Sequence, residues 1–527
     1  MIAITSEEMN RIDSWAINGL GIPRIALMEN AGSSVTRETY RKYGNVRNIL
    51  VICGKGYNSG DGLIAARHFY NSGANVLIYL TDDPTQLKPE TKLNYDILAK
   101  MDIKIITDLS SLESDLDSSD IVIDAVFGTG FIGQIDEHVS NIFKVVNSHH
   151  KYYKIVSVDI PSGINGTTGE VSTNSICADM TVTFHQPKVG QYKYPASDNC
   201  GIIKIVDIGI PYEHKSQTCL PVGKSQTIAD NNTHITDIQF VERVIPRRKY
   251  NAHKGDCGRI FIIAGSRGMI GAAILSGKAA LRSGAGLVTI GCPKSLSNYA
   301  NTMAPELIIL PLPETKDETI SSDAFKEILK IINKFDAMII GPGISTNKDT
   351  NKLVVSLIKD KRIDIPIVLD ADGINCAAKY SDLLTKRGSA TIITPHTGEL
   401  AGLLQTDIKT IQSDRIRIAK CTSLKFNCIT VLKGANSVIS NPEGLININP
   451  TGNPGMATAG MGDVLSGIIA ALIGQGADPF NSAAAGVFIH GMAGDVVSEI
   501  KGQIGITSSD VIESIPYVID SIIRKKS

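Results

Sequence analysis

The sequence lacks an excess of either charge. Lys and Arg total 52 and Asp and Glu total 53, which leaves a formal net charge of −1. A neutral chain excludes a general nucleic-acid binder, because such proteins carry a basic surface. The sequence also lacks an uncharged apolar run of about 18 residues, the minimum for a membrane-spanning helix, and its first residues lack the apolar stretch of a secretory signal. We therefore expect a cytoplasmic protein with no membrane and no nucleic-acid partner.

The nine cysteines lack the CxxC spacing of zinc and redox sites. We therefore expect reduced, buried thiols rather than disulfides. Aromatic residues are few, at 5%, whereas glycine is plentiful, with 48 in 527 residues. Because glycine is favoured where the backbone turns tightly or approaches a ligand, the glycine clusters mark the candidate sites. A chain of this length holds roughly two or three domains.

Apolar, β-branched segments alternate with helical stretches in both halves of the chain. This alternation predicts α/β domains with mostly parallel, doubly wound sheets covered by helices on both faces. The predicted strands of the first half are Asn48–Cys53, Val76–Leu80, Ile103–Ile106, Ile121–Asp124, Ile155–Asp159, Met180–Phe184 and Ile202–Val206. Those of the second half are Ile260–Ala264, Leu287–Ile290, Ala337–Ile340, Ile367–Asp370, Thr391–Thr394, Cys428–Leu432 and Ser437–Ser440. Long helices are expected after Gly271, Asp414 and Gly462.

A polar stretch with weak periodicity, between Pro211 and Thr236, separates the two halves. Such a change in composition is typical of a domain junction. We therefore predict two domains, residues 1–220 and residues 221–527. Their motifs differ, so we expect two unrelated domains rather than a duplication.

The first glycine cluster, Cys53–Gly62, follows a predicted strand and opens a predicted helix. Its backbone amides would face an anionic ligand at the helix start, although the same residues could form only a tight turn. Two further strands end in Asp124 and Asp159, each before a glycine-containing turn. Ligands of open parallel sheets bind at the carboxyl ends of the strands. We therefore expect Asn58, Asp124, Asp159 and Ser162 in one site.

The densest glycine cluster, Asn449–Asp463, runs into an apolar helical stretch. Amides exposed at such a helix start suit a phosphoryl group in transfer. Asp463 lies in the first turn, either as a partner of the helix dipole or as the base that takes a hydroxyl proton; we favour the base. Other strand-end loops that point to the same site are Gly265–Gly271, His396–Glu399 and Lys433–Ser437.

The motifs GKGYNSGDG, DAVFGTG and VDIPSG, preceded by LMENAG, resemble those of the NAD(P)HX epimerase domain, the YjeF N-terminal family, over about residues 1–215. The resemblance implies a Rossmann-like fold that interconverts the R and S hydrates of NADH and NADPH, with Asp159 as the acid/base. It also implies a potassium ion on Asn58, Asp124 and Ser162. The substrate residues that it implies are Tyr57, Asn58, Ser59, Gly60, Asp61, Gly128, Thr129, Gly130, Phe131, Ile132, Gly133, Gln134 and Asp159. Tyr57 departs from the family pattern, which usually has Asn there.

The second-half motifs HKGDCGRIFIIAGSRGMIGAAIL, LDADGIN, TPHTGE, VLKGA and NPTGNPGMATAGMGD resemble the NAD(P)HX dehydratase of the ribokinase-like superfamily, over about residues 235–520. The resemblance implies that ADP, with Mg²⁺, drives removal of water from the S hydrate and leaves NAD(P)H, AMP and phosphate. The hydrate residues that it implies are Ala272, Gly343, His396 and Asp463. The nucleotide residues that it implies are Lys433, Gly434, Ala435, Asn436, Ser437, Gly452, Asn453, Gly455, Gly460 and Gly462. Thr397 stands where the family commonly has Pro.

Two other functions stay open on the residues alone. The second half could be a ribokinase-like kinase for a vitamin or sugar alcohol, with phosphoryl transfer but no elimination. The first half could be a nucleotide-binding or protein-interaction module without catalysis. The resemblance favours a bifunctional isomerase and lyase whose partners are NADHX, NADPHX and ADP, and we expect a homo-oligomer.

Overall fold

The computed structural model describes residues 1–211 and 232–524. The chain divides into two compact units: a first unit of Ile2–Thr233, and a second unit of His234–Ser527 together with Met1. The predicted domain boundary at residue 220 lies outside the described residues, as does most of the predicted polar junction. No helix among the described residues is long and apolar enough to cross a membrane.

The first unit is built on a seven-stranded sheet in the order β3-β2-β1-β4-β5-β6-β7. Every neighbouring pair in it is parallel. The strands are β1 Asn48–Cys53, β2 Asn75–Leu80, β3 Lys104–Ile106, β4 Ile121–Ala125, β5 Lys154–Val158, β6 Met180–Phe184 and β7 Ile202–Val206. The strand order reverses direction between β1 and β4, and ligands of such sheets bind at that switch point.

Helices cover both faces of this sheet. They are α1 Ser6–Ser14, α2 Arg24–Tyr43, α3 Tyr57–Asn71, α4 Pro89–Lys100, α5 Leu112–Asp117, α6 Glu137–Ser148 and α7 Ser197–Cys200. Strand β1 shows why the strands of this sheet are apolar at every position. Ile49 and Val51 pack in one apolar core cluster, whereas Leu50 and Ile52 pack in a second one. Because successive side chains of a strand point to opposite faces, both faces of this strand must be apolar.

The second unit is built on a ten-stranded sheet in the order β11-β10-β9-β12-β13-β14-β15-β16-β17-β8. Its strands are β8 Thr233–Ile235, β9 Arg259–Ile263, β10 Leu287–Pro293, β11 Ile308–Leu312, β12 Ala337–Ile340, β13 Ile367–Leu369, β14 Thr391–Ile393, β15 Ile429–Leu432, β16 Val438–Ser440 and β17 Ile446–Ile448. The pairs from β11 through β15 are parallel, whereas β15, β16 and β17 pair antiparallel. The order reverses between β9 and β12.

The helices of the second unit pack on its sheet and on one another. They are α8 Ile238–Val244, α9 Ile270–Arg282, α10 Ser297–Met303, α11 Ala324–Ile331, α12 Lys348–Lys359, α13 Asp372–Ala378, α14 Thr397–Leu404, α15 Ile408–Ser413, α16 Arg415–Phe426, α17 Met461–Gly474, α18 Pro479–Lys501 and α19 Ser508–Arg524. Helix α17 is buried along most of its length and lies against α9. A Cβ on Gly467 would come within 2.3 Å of the Ser276 carbonyl oxygen, so only glycine permits this approach.

The predicted strands are confirmed, with ends displaced by a few residues at most. Two short strands, β11 and β17, were not predicted, and a third, β8, lies within the predicted junction, part of which could form strands. Each is an edge strand or part of the antiparallel extension, where the apolar run is short. Every cysteine within the described part of the chain is a free thiol, as expected, although Cys177 is half-buried and Cys421 is exposed.

Candidate active sites

A cavity of about 590 Å³ lies in the first unit, at the carboxyl ends of its sheet. Its walls come from the loop before α3, the loop after β4, the end of β5, and helices α1 and α2. Helix α3 begins after Gly56 with no side chain capping it, which leaves backbone N–H groups of its first turn for a ligand. The cavity therefore occupies the switch point between β1 and β4.

Many of the sequence-predicted epimerase residues line this cavity. They are Tyr57, Asn58, Asp61, Gly128, Thr129, Gly130, Phe131, Ile132 and Asp159. The other predicted substrate residues are not among its lining residues: they are Ser59, Gly60, Gly133 and Gln134. Ser59 accepts a hydrogen bond from Gly54 N (2.7 Å) and donates to Ala125 O (2.8 Å). Gln134 accepts from Ser172 Oγ at 3.0 Å. Ser59 thus fixes the loop that presents its neighbours.

Asp159 follows β5 and is held by a buried lysine. Lys188 Nζ donates to Asp159 Oδ1 at 2.5 Å, and the Lys188 side chain is fully buried. The same ammonium donates to Thr183 Oγ1 at 2.9 Å and to Phe184 O at 3.2 Å. Asp159 itself has a φ of +64°, a left-handed conformation that costs a non-glycine residue free energy and is typical of functional positions. The fold therefore fixes one carboxylate oxygen of Asp159 and leaves the carboxylate at the cavity wall.

Lys188 is a candidate site residue that the sequence motifs missed. It stands 29 residues beyond Asp159, outside the glycine-rich loops. Its backbone N–H donates to Gln191 Oε1 at 2.9 Å, and Gln191 Nε2 donates to the Asp159 carbonyl at 2.9 Å. The segment is thereby tied to Asp159 through both backbone and side chain. A lysine after an apolar strand gives no local sign of this long-range pairing.

The predicted potassium ligands Asn58, Asp124 and Ser162 are brought together around the backbone of Phe127. Asn58 Nδ2 donates to Phe127 O at 3.0 Å, and Phe127 N donates to Ser162 Oγ at 2.8 Å. Asp124 is 1% exposed and accepts from Ser162 Oγ (2.5 Å) and Ser162 N (2.8 Å). Burial raises the pKa of Asp124, although the hydrogen bonds from Ser162 oppose this rise. The carboxylate therefore lies in a site where a cation would stabilise its charge.

Two further carboxyl groups, Asp13 of α1 and Asp61 of α3, face the same cavity as Asp159 and Lys188. Burial raises the pKa of Asp13 to about 6, and the charge of nearby Lys188 opposes this rise. Desolvation raises the pKa of Asp61 well above its usual range, and the charges of Asp159 and Asp13 raise it further. Asp13 lies in none of the sequence motifs, which is why it was not predicted.

Tyr57, the departure from the family pattern, stacks under a guanidinium. The Arg24 Cζ atom lies 4.2 Å from the centre of the Tyr57 ring, and both side chains line the cavity. Arg24 Nε also lies 3.6 Å from Glu90 Oε1. The phenol therefore forms a cation–π contact that an Asn could not make.

The second candidate site is at the start of α17, where the predicted base Asp463 lies in the first turn. Gly460 precedes the helix with a φ of +85° and no side chain caps it. A Cβ on Gly462 would lie 3.2 Å from Lys433 Nζ and 3.6 Å from Asp370 Oδ2. The glycines therefore open the helix start directly onto charged side chains from β13 and β15.

Buried Asp370, which follows β13, forms an ion pair with the partly buried Lys433, which follows β15, beside Asp463. Lys433 Nζ donates to Asp370 Oδ1 at 2.9 Å and lies 3.7 Å from Glu399 Oε2. Asp370 Oδ1 also accepts from Thr394 Oγ1 at 2.8 Å, whereas its buried Oδ2 has no hydrogen-bond partner. Burial and the Asp370 charge raise the pKa of Asp463 to about 7, although Lys433 opposes this rise. Asp463 therefore titrates near neutral pH, as a general base requires.

Asp370 was not among the sequence-predicted site residues, although it ends the predicted strand Ile367–Asp370. The motif LDADGIN contains two aspartates, and in the structure they have different hydrogen-bond partners. Asp370 pairs with Lys433, whereas Asp372 Oδ2 accepts from Ser345 N at 2.9 Å. The sequence alone does not say which of two aspartates so close together faces the ligand.

The predicted hydrate residues lie at the switch point between β9 and β12 and at the start of α14. Gly343 has a φ of +61°, and a Cβ there would come within 3.2 Å of the Ala272 Cβ. His396 caps α14: its Nδ1 accepts from Gly398 N at 2.9 Å and from Glu399 N at 3.2 Å. Because Nδ1 is an acceptor, Nε2 carries the proton of the neutral ring and is a donor. Glu399 contacts both His396 and Lys433. Its Oε2 accepts from His396 N at 2.8 Å and lies 3.7 Å from Lys433 Nζ.

The predicted nucleotide residues form two turns. Lys433–Ser437 connects β15 to β16, and Ser437 Oγ donates to Gly434 O at 2.8 Å. The second turn contains Gly452 and Asn453. Asp495 of α18, which was not predicted, accepts from Gly452 N and from Asn453 Nδ2, both at 2.9 Å. Gly455 and Gly460 lie farther along that turn, before α17. Asn436, with a φ of +48°, and Ala435 complete the first turn.

Two family models match the chain, one in each unit. The YjeF-related protein N-terminus matches residues 24–190, and the NAD(P)H-hydrate dehydratase model matches residues 260–517. A bifunctional NAD(P)H-hydrate repair enzyme of Moorella thermoacetica is 38% identical over 99% of this chain and 97% of that protein. The chain belongs to this family of bifunctional repair enzymes. A second member, from Thermofilum pendens, is 34% identical over 98% of this chain and 95% of that protein.

These matches confirm the family that the motifs of both halves predicted. The structure confirms the predicted α/β architecture, with a mostly parallel sheet in each unit. An ADP/ATP-dependent NAD(P)H-hydrate dehydratase of Bacillus subtilis, co-crystallised with ATP and Mg²⁺, is 27% identical. That match covers 55% of this chain and 99% of that chain, with a TM-score of 0.48.

Proposed function

We propose that this chain repairs hydrated NADH and NADPH in two steps. The first unit interconverts the R and S hydrates, and the second unit uses ADP to dehydrate the S hydrate to NAD(P)H, releasing AMP and phosphate. The observation that carries the proposal is that similarity to bifunctional repair enzymes runs over 99% of the chain and so includes both candidate sites. Two sites in one chain make chemical sense, because the epimerase supplies the dehydratase with the only epimer that it accepts.

In the first unit, Asp159 is the acid/base of the epimerisation. The hydrate carries its hydroxyl on the carbon next to the ring nitrogen, so inversion needs proton transfer and passes through a cationic or ring-opened species. The ammonium of Lys188 engages Asp159 Oδ1, which orients the carboxylate and leaves Oδ2 for the substrate. The uncapped start of α3 beside Asn58, Ser59, Gly60 and Asp61 is placed to receive the anionic part of the hydrate.

Potassium would bind at Asn58, Asp124 and Ser162, and these residues fit a hard cation. They offer carboxylate, amide and hydroxyl oxygens, and Gly128 leaves the room for them, since a Cβ there would lie 3.1 Å from Asn58 Oδ1. Because the Asn58 amide nitrogen donates to Phe127 O, its oxygen is the atom left for a cation. The bound ion would offset the Asp124 charge and help to orient the hydrate.

In the second unit, Asp463 takes the proton of the ring hydroxyl, and the hydroxyl oxygen then attacks the terminal phosphoryl group of ADP. Hydroxide is a poor leaving group, whereas phosphate is a good one, so phosphorylation prepares the elimination. The amides of Gly460 and Gly462, at the start of α17, would stabilise the charge of the phosphoryl group in transfer. Elimination follows when the ring nitrogen lone pair expels phosphate and the ring loses a proton, which gives the dihydropyridine.

The nucleotide would lie against the turns Lys433–Ser437 and Gly452–Gly455. Mg²⁺ binds through phosphates, water and one or two carboxylates, and Asp370 Oδ2 is a buried carboxylate oxygen without a partner at this site. The ion would neutralise charge on the transferred phosphoryl group. The hydrate would lie between Ala272, Gly343 and His396, with His396 Nε2 as a hydrogen-bond donor.

The proposal is tested with purified S-NADHX, ADP and Mg²⁺, by following the absorbance of NADH. We expect ADP-dependent formation of NADH from S-NADHX. R-NADHX should give a comparable final yield of NADH, because it is first epimerised to S-NADHX. A parallel assay with ATP establishes which nucleotide is preferred. Phosphorylation of a vitamin or sugar alcohol without any conversion of the hydrate would contradict the proposal and favour the kinase.

A further inference from the structure

The cavity of the first unit presents more acid/base groups than one inversion by Asp159 alone requires. Asp13 and Asp61 both line it together with Asp159 and Lys188. Among the residues that the structure describes, no side chain forms a hydrogen bond or ion pair with the carboxyl group of Asp13. An ionisable group that faces a ligand cavity without a structural partner is available to the ligand.

We propose that Asp13 is a second acid/base residue of the epimerisation, and that it donates a proton to the hydroxyl while Asp159 accepts one. The inference rests on the proposed function of the first unit. Asp13 comes from helix α1 and Asp159 from the end of strand β5, so the two carboxyl groups approach the substrate from different elements. Two groups from different elements suit an inversion, because water leaves one face of the ring and water adds to the other.

The step balances with water as the only further reactant. Asp13 gives its proton to the hydroxyl, the carbon–oxygen bond breaks with its electron pair on oxygen, and water leaves. The ring nitrogen lone pair forms a double bond to the same carbon and makes an iminium cation. A water molecule then adds to the opposite face, the double-bond pair returns to nitrogen, and Asp159 accepts the surplus proton. Proton exchange with solvent resets the two carboxyl groups.

The charged surroundings suit these roles. The charged groups that act on Asp13 are Lys188, Asp159 and Arg24. The charge of Asp13 in turn raises the pKa of Asp61. Lys188 donates directly to Asp159 Oδ1, so this carboxyl group has a buried cation as its partner. Asp13 has no such partner and lies in desolvated surroundings, which favour its protonated form. One cavity thus holds a carboxyl group paired with a cation and a second carboxyl group in desolvated surroundings, which suit a proton acceptor and a proton donor.

The first test is the pH dependence of kcat/KM for epimerisation by the intact protein, after subtraction of the spontaneous rate. Since burial raises the pKa of Asp13 to about 6, we expect kcat/KM to fall about tenfold per pH unit above that value. Asp13→Asn should lower kcat/KM by roughly 10²–10⁴-fold and abolish this dependence, whereas Asp13→Glu should restore both in part. The dehydratase of the same variants reports whether the chain is intact.

Glu7→Gln is the matched control, because Glu7 lies on the same helix, is exposed and does not line the cavity. It removes the same charge and should leave the profile unchanged. Epimerisation in ¹⁸O-labelled water should introduce one solvent oxygen per inversion. A wild-type profile without the fall, an Asp13→Asn variant that keeps it, or retention of the substrate oxygen would each overturn the inference. Absence of epimerisation by the wild-type protein would instead refute the proposed function itself.

Discussion

The ammonium of Lys188 lies 2.5 Å from the Asp159 carboxylate, inside the first unit and away from solvent. A lysine is almost never fully buried unless it is paired, and this one is paired with Asp159, which the resemblance predicts to be the acid/base. Desolvation of both charges is costly, so the pair is an expensive arrangement for stability alone. Its position at the cavity wall agrees with the role that we propose for Asp159.

Replacing Lys188 by Met should therefore affect both stability and epimerisation. The variant buries Asp159 without its partner, and loss of one member of a buried pair lowers the free energy of unfolding by roughly 3–5 kcal/mol. Trp15, the only tryptophan, lies in the first unit, so its fluorescence during urea unfolding follows this unit. Lys193→Met is the control, since among the described residues Lys193 Nζ donates only to Thr167 O, and it should cost about 1 kcal/mol or less.

The dehydratase should gain activity with rising pH. Burial raises the pKa of Asp463 to about 7, and only the ionised form accepts a proton, so kcat/KM for ADP-dependent dehydration should rise up to that pH and level off above it. Lys433→Met should move the midpoint to higher pH, because Lys433 is the charge that opposes the rise. A profile that is flat from pH 5 to 8 would contradict the assignment of Asp463 as the base.

Gly462→Ala tests the opening between the start of α17 and the Asp370–Lys433 pair. The new methyl group would lie 3.2 Å from Lys433 Nζ and would occupy the space beside Asp463. Lys433 must shift by a few tenths of an ångström to accommodate the methyl group. Since a misplacement of about 1 Å costs roughly 10²-fold, we expect kcat/KM for dehydration to fall by less than about 10²-fold. Gly402→Ala, where a Cβ meets nothing within 4 Å, is the control and should keep full activity. Equal activity of the two variants would show that the opening is not used.

Potassium should influence the first unit only. Replacing K⁺ by tetramethylammonium removes the small cation that offsets the Asp124 charge, so epimerisation should slow several-fold while dehydration with ADP and Mg²⁺ continues unchanged. Asp124→Asn should abolish the response to K⁺, because the buried carboxylate is the charged ligand of the set. An epimerase that is indifferent to K⁺ in the wild-type protein would exclude this cation site.

The sequence predicts the positions of some candidate residues well and those of others poorly. Asp124 and Asp159 were predictable because each ends an apolar strand before a glycine-containing turn, and parallel strands bring such ends to one edge of the sheet. Asp463 was predictable for the corresponding reason at a helix start. The fold class followed from the same alternation of strands and helices, which local patterning specifies.

Lys188 and Asp13 were not predictable in this way. Lys188 reaches Asp159 across 29 residues, and Asp13 reaches the cavity because α1 packs beside it. Neither lies in a glycine-rich loop, so their positions depend on tertiary packing that no local pattern records. For Asp370 the sequence indicated the strand end, but only the structure shows that this aspartate, rather than Asp372, pairs with Lys433.

The most direct test of two independent sites in one chain is complete repair of R-NADHX by Asp159→Asn and Asp463→Asn variants, alone and mixed, with ADP and Mg²⁺. Asn is chosen at Asp159 because it tolerates the left-handed backbone there. We predict that Asp159→Asn epimerises roughly 10²–10⁴-fold more slowly yet dehydrates S-NADHX normally, and that Asp463→Asn epimerises normally but forms no NADH. The mixture should restore complete conversion. Loss of both activities in either single variant, or a mixture that fails to convert the R hydrate, would contradict the account.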